Sequence, residues 1–132
     1  MNICILTRPD LVPTNHGAAV KIVKTAQSFV QLGHSCLIVT EDRDCYWVVS
    51  ASGELIKKKY PMRSRAMQEW PLIRGGSRRA EWLCRWLGYP EEEFFLYMAQ
   101  FDPAWLVRLV SVGLMENVDV FQAEFPGYGI VG

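Results

Sequence analysis

The stretch NICILTRPDLVPTNHGAAVKIVKTAQSFVQLGHSCLIVT, residues Asn2–Thr40, decides the fold class. Ile3-Cys4-Ile5-Leu6 is a short continuous apolar run, which suits a strand buried on both faces of a parallel sheet. A loop from Arg8 to Gly17 follows, holding Pro9, Pro13, Asn15 and Gly17. Ala19, Ile22, Val23, Ala26, Phe29 and Val30 then fall at helical spacing on one stripe. Thr14 or Asn15 is placed to cap the start of that helix, and Gly33 to stop it. Leu37-Ile38-Val39 is the next buried strand. Strand, helix and strand within about forty residues make a βαβ unit with an expected right-handed crossover.

Outward from this unit, Tyr46–Val49 and Glu54–Lys57 flank Ser50–Gly53 and predict a hairpin or two short strands around a turn. Pro61 to Ser77, with Pro71 and Gly75-Gly76, reads as a long loop, and Arg78 to Leu87 as a helix ending at Gly88. Pro90 followed by Glu91, Glu92 and Glu93 marks a helix start, where proline is tolerated and acids suit the dipole. Phe94, Tyr97, Met98 and Phe101 form its apolar stripe. Asp102-Pro103 starts another helix with Asp102 as cap, and Trp105, Leu106, Leu109, Val110 and Leu114 are expected to face the core. Asp119–Gln122 reads as a third parallel strand. The chain ends at Gly132, where the next crossover helix is expected, so truncation is the expectation.

The totals bound the function classes. With 132 residues, half of them apolar and 21% charged, the chain fits one ordered domain. A net charge of zero gives no global pull toward nucleic acid, and none is expected as a partner. Charge is nevertheless uneven. Lys57 to Arg85 carries nine Lys/Arg against Glu69 and Glu81, about +7, balanced by about −7 elsewhere. The four cysteines form no CxxC pair and only two histidines are present, so no metal site is expected. Cys4 and Cys36 lie in strand-like runs and read as buried thiols, which suggests a reducing compartment. Arg8 comes too soon for a signal-peptide core, and no run reaches the roughly 18 apolar residues of a membrane span. A cytoplasmic protein is therefore expected.

The first strand-to-helix loop is the most informative candidate site. Ligands of open α/β sheets bind beyond the carboxyl ends of the strands, and a helix N-terminus there suits phosphate. Gly17 lets backbone approach a ligand, and Asn15 and His16 add donors. The same residues also serve simply to shape a turn and cap a helix. The G-x-G-x-x-G fingerprint of NAD or FAD half-sites is absent.

These segments resemble the opening of retaining glycosyltransferases of the GT-B fold, family 4 type. The matching residues are Asn15-His16-Gly17-Ala18-Ala19, Gln31-Leu32-Gly33-His34 and Leu37-Ile38-Val39-Thr40. Near the end, Asp119-Val120-Phe121-Gln122-Ala123-Glu124-Phe125-Pro126 is similar to the family's Asp-Val-x-His-x-His segment. The likeness covers roughly half the chain and leaves Asp42 to Leu114 without a match. It implies an α/β, Rossmann-like three-layer sandwich with a mostly parallel sheet, residues 1–132 forming a truncated acceptor-side N-terminal domain. The family's second domain holds the nucleotide sugar with a Lys/Arg pair and a Glu-x7-Glu element, and the resemblance assigns neither to this chain. It carries Asn15, His16 and Gly17 onto the loop near the donor diphosphate. It carries Glu124 onto a position often held by an active-site histidine, a departure, since a carboxylate cannot donate as a neutral imidazole does. The expected activity is sugar transfer from a nucleotide-sugar donor to an acceptor, with no cofactor beyond that substrate and none by the fragment alone. The alternative is a noncatalytic binding or interaction module.

Other residues weigh less. His34 reads as a turn residue entering the second strand. Glu124, just past a strand's carboxyl end, serves either the site or the cap of a following helix. In the basic stretch, Arg63, Arg65, Arg74, Arg78, Arg79 and Arg85 interleave with Trp70, Trp82 and Trp86, the last two at i, i+4 on one face. The plainer expectation buries the tryptophans in the core and leaves the arginines solvated. The functional alternatives are an anionic acceptor, or peripheral contact of 63–86 with an anionic membrane surface.

Overall fold

A computed structural model describes residues 1–7, 11–12, 17–89 and 101–124. Five strands, β1 (Asn2–Leu6), β2 (Ser35–Val39), β3 (Cys45–Val49), β4 (Leu55–Lys59) and β5 (Val120–Ala123), form one sheet in the order β4-β3-β2-β1-β5. Among the described residues four helices accompany it: α1 (Gly17–Gln31), α2 (Met62–Gln68), α3 (Pro71–Trp86) and α4 (Pro103–Met115). The sheet is mixed. β1 pairs in parallel with β2 and β5, whereas β3 pairs antiparallel with both β2 and β4. The parallel block is the part predicted from Asn2–Thr40 and Asp119–Gln122, and the hairpin extends it on one side.

The period of two along the strands builds three layers. Cys4, Leu6, Leu37 and Val39 meet Trp105, Leu109 and Val112 of α4 on one face. Ile5, Cys36 and Ile38 meet Ala19, Ile22 and Ala26 of α1 on the other. Burial on both faces explains why β1 reads as an unbroken apolar run. It also pushes the Cys4 thiol well above its usual pKa and that of Cys36 up to about 11, so both stay protonated and inert. α1 ends as the sequence indicates. Gly33 takes the left-handed conformation at φ +84°, and the His34 amide donates back to the Phe29 carbonyl. The hairpin turn is fastened to α1 by the Gln27 side-chain amide, which donates to the Gly53 carbonyl at 2.8 Å. Edge strand β4 carries Lys57, Lys58 and Lys59, all exposed, a common protection against edge-to-edge pairing.

Two expectations are corrected in the middle of the chain. The region from Pro61 to Ser77 is not a long loop, because α2 and most of α3's first half lie in it. Pro71 occupies the first turn of α3, where its missing N–H costs nothing. Gly76 lies inside α3 for a packing reason: a Cβ built there would stand 2.6 Å from Pro103 Cγ. The prediction for α4 also needs revision. Asp102 caps it, accepting from the Ala104 amide at 2.9 Å, and Trp105 and Leu109 are buried as expected. Val110 and Leu114 are 56% and 77% exposed instead. The inward stripe is Ala104, Trp105, Arg108, Leu109 and Val112, so an arginine takes a position that an apolar residue was expected to fill. The helix start expected at Pro90–Glu93 and its stripe from Phe94 to Met98 lie outside the described residues.

At the amino-terminal edge of the sheet, the Asn2 side chain donates to the carbonyls of Glu116 and Asn117. The Glu116 carboxylate accepts from the Tyr46 hydroxyl and from Lys58. The Tyr46 hydrogen bond, against some burial and with help from Lys58, holds Glu116 below the usual carboxylate range. No helix among the described residues is long and apolar enough to cross a membrane.

Candidate functional site

β1, β2 and β5 all end at one edge of the sheet, and that edge is the candidate site. Its geometry starts from the backbone. The Thr7 amide donates to the Val39 carbonyl and the Glu124 amide to the Leu6 carbonyl, each at 3.0 Å. These two bonds extend the ladder one residue beyond the strands and fix Thr7 and Glu124 side by side. α1 then starts above them at Gly17, and the first N–H groups of a helix have no acceptor within it.

One contact joins these parts. Lys21, one turn into α1, donates to Glu124 Oε2 at 3.3 Å. It brings the start of α1 against the carboxyl end of β5, two places more than a hundred residues apart in sequence. The first turn of α1 carries no acid, and Lys21 offsets the charge of Glu124. Among the described residues, an anion placed at the helix start therefore meets the positive end of the dipole without a net negative neighbour. Thr7 is fully buried, and its hydroxyl has no hydrogen-bond partner among the described residues. Lys21 and Thr7 escaped the sequence reading. Lys21 looks like an ordinary solvated helix residue, and Thr7 is one threonine after a strand. Only tertiary placement brings them to this edge.

Gly17 opens α1 at this edge without using the left-handed conformation open to glycine. Its φ is not among the positive ones, and a Cβ built on it meets nothing within 4 Å. Among the described residues, nothing excludes a side chain there. Asn15 and His16 lie outside the described residues. His34 enters β2 at the opposite, amino-terminal edge, as expected of a turn residue. Glu116 and Glu124 happen to stand at Glu-x7-Glu spacing, yet they lie at opposite ends of β5 and do not form a pair.

A second polar group lies beside this edge, under α4. Arg108 is fully buried. Its Nη1 donates to the carbonyls of Glu41 at 3.0 Å and Asp42 at 3.2 Å, its Nε to Ala104, and its guanidinium lies 4.9 Å from the Trp105 ring. Burial pushes its pKa down from the usual guanidinium value, against the opposing pull of Tyr60 and Asp102. Arg108 thus holds the segment after β2. Asp42 then turns into β3 by accepting from the Asp44 and Cys45 amides at 2.8 and 3.2 Å. Burial raises the pKa of Asp42, but the ion pair with Lys57 and these amides together bring it below its usual value. The sequence did carry a sign of Arg108: it is the one charged residue in PAWLVRLVSVGLM.

The tryptophans of the basic stretch contradict the plainer expectation. Trp70, Trp82 and Trp86 are exposed, and the inner side of α3 is made by the small residues Ser77, Ala80 and Cys84. With small side chains the helix sits close to α4, which leaves the large rings on the outside. No known protein family, curated protein or solved structure matches the chain.

Proposed function

We propose that this chain is the acceptor-side domain of a GT-B type glycosyltransferase, which moves a sugar from a nucleotide-sugar donor to an acceptor. The observation that carries the reading is the Lys21–Glu124 contact. It sets an acid-free helix start and a carboxylate together at the carboxyl edge of a parallel β2-β1-β5 block. On this reading the start of α1 approaches the donor diphosphate, with Asn15 and His16 on the loop before it. Glu124 orients an acceptor hydroxyl. Most of the donor is held by a second, nucleotide-sugar-binding domain. The chain's share of the work is to position two substrates and to offer fixed dipoles to the leaving diphosphate.

The test is an initial-rate assay with radiolabelled nucleotide sugars, varying donor and acceptor separately. The chain alone transfers no sugar. Joined to its donor domain it transfers, and Glu124→Gln lowers the acceptor-dependent rate at least about tenfold with donor KM unchanged. Turnover by the isolated chain contradicts the two-domain reading. Unchanged kinetics in Glu124→Gln contradict the role of that residue.

A further inference from the structure

The outward side of α3 has no task in the site described above. At 100° per residue, Arg74, Arg78, Arg79, Trp82, Arg85 and Trp86 share one half of the helix surface, opposite the buried Ser77, Ala80 and Cys84. Trp82 and Trp86 are 64% and 70% exposed and stack on each other, with ring centroids 6.4 Å apart and planes at 13°. Leu72, near the helix start, is 83% exposed, and Trp70 precedes it, also exposed. The two acids of this stretch are engaged by arginines, Glu69 by Arg74 at 3.6 Å and Glu81 by Arg43 at 3.7 Å. Arg78 and Arg79 form no ion pair among the described residues. A roughly 24 Å helix therefore presents unneutralised cations together with large aromatic rings left in water.

We propose that this face of α3 docks on an anionic lipid bilayer surface. The chemistry is complementary on both counts. Arginines of this face reach lipid phosphates, each such residue strengthening attachment about fivefold. Tryptophan rings settle at headgroup depth, where an amphipathic ring is better placed than in water or in hydrocarbon. A helix lying in the surface plane uses its whole length in this way, and crossing the bilayer is not required. A single-stranded nucleic acid fits less well. Bases bind on open aromatic platforms, and here the facing surfaces of the two rings are taken by each other. The proposal does not rest on the transferase reading.

The experiment is flotation of the full chain with vesicles of pure phosphatidylcholine and with vesicles in which about a third of the lipid is phosphatidylglycerol, together with tryptophan fluorescence. The chain is expected to float with the anionic vesicles at least about tenfold more strongly than with neutral ones, with a blue-shifted emission. Arg78→Gln with Arg79→Gln weakens binding about twenty-five-fold, from fivefold per residue. Trp82→Ser with Trp86→Ser weakens it at least about tenfold and removes the blue shift. All six substituted or neighbouring positions on this face are exposed or at the surface, so circular dichroism should show both double variants folded. Equal binding to neutral vesicles overturns the proposal, as does an absence of binding. Folded double variants that float like the parent also overturn it. So does binding to a single-stranded oligonucleotide without binding to vesicles.

Discussion

Replacing Arg108 with methionine costs the folded chain about 3 kcal/mol. The side chain is fully buried and bridges α4 to the segment that follows β2 through the Glu41 and Asp42 carbonyls. Methionine fills much of the same volume but donates nothing. Two carbonyls then lose their buried donor, at roughly 1–3 kcal/mol for each group left without a partner. The cost of burying the guanidinium, visible in its lowered pKa, is recovered in part, which keeps the expected loss near the lower end of the sum. Urea unfolding should show a lower midpoint with an unchanged slope. A loss below about 1 kcal/mol would mean that water reaches those carbonyls and that Arg108 does not hold the segment.

The neighbouring glycines of α3 should move stability in opposite directions. Gly75→Ala adds a methyl that meets nothing within 4 Å, so only the helix preference of alanine acts, raising stability by up to about 1 kcal/mol. Gly76→Ala places the same methyl 2.6 Å from Pro103 Cγ. A proline ring at the start of α4 cannot rotate away, so the two helices must separate. Asp102 beside it accepts from Ser77 of α3 and from the Ala104 amide, and a shift disturbs both bonds. The expected net loss is about 1–2 kcal/mol, as overpacking outweighs the preference for alanine. Thermal or urea unfolding of the two variants decides the matter. Equal shifts would remove the account of why a glycine stands inside α3.

These glycines also show where the sequence stopped being legible. The βαβ unit could be read because β1, α1 and β2 each repeat their apolar residues at the period of their own element, and Gly33 ends α1 where its left-handed φ is needed. The Asp102 cap could be read for a similar reason: the whole signal lies within three residues. α2 and the first half of α3 could not. Pro71 and Gly75-Gly76 are punctuation in a local reading, and only the position of Pro103 turns Gly76 into a packing residue. In α4 the apolar residues cover more than one face, so periodicity did not choose between Leu114, which is exposed, and Arg108, which is buried. The exposed tryptophans failed for the opposite reason. A large ring on a helix is normally core, and nothing local says that Ser77, Ala80 and Cys84 form the inner side instead. At the candidate site, Gly17 and Glu124 were legible from their places next to expected elements. Lys21 and Thr7 became visible only when β1 and β5 were seen side by side.

The central claim is that the carboxyl edge is the site of transfer, with the start of α1 at the diphosphate of a nucleotide sugar held mostly by the second domain and Glu124 at the acceptor. Its most direct measurement is a nuclear magnetic resonance titration of the isotope-labelled chain, joined to its donor domain, with UDP-, GDP- and ADP-sugars, repeated on Gly17→Val. One of these ligands should shift the amide signals of Thr7, Gly17–Lys21 and Glu124 while leaving the amino-terminal edge around Glu116 still. Gly17→Val should abolish those shifts and leave the unfolding midpoint nearly unchanged, because a Cβ at Gly17 meets nothing within 4 Å among the described residues. Signals that stay in place at the start of α1 for every nucleotide sugar, or that move only along Arg74–Trp86, would contradict the claim.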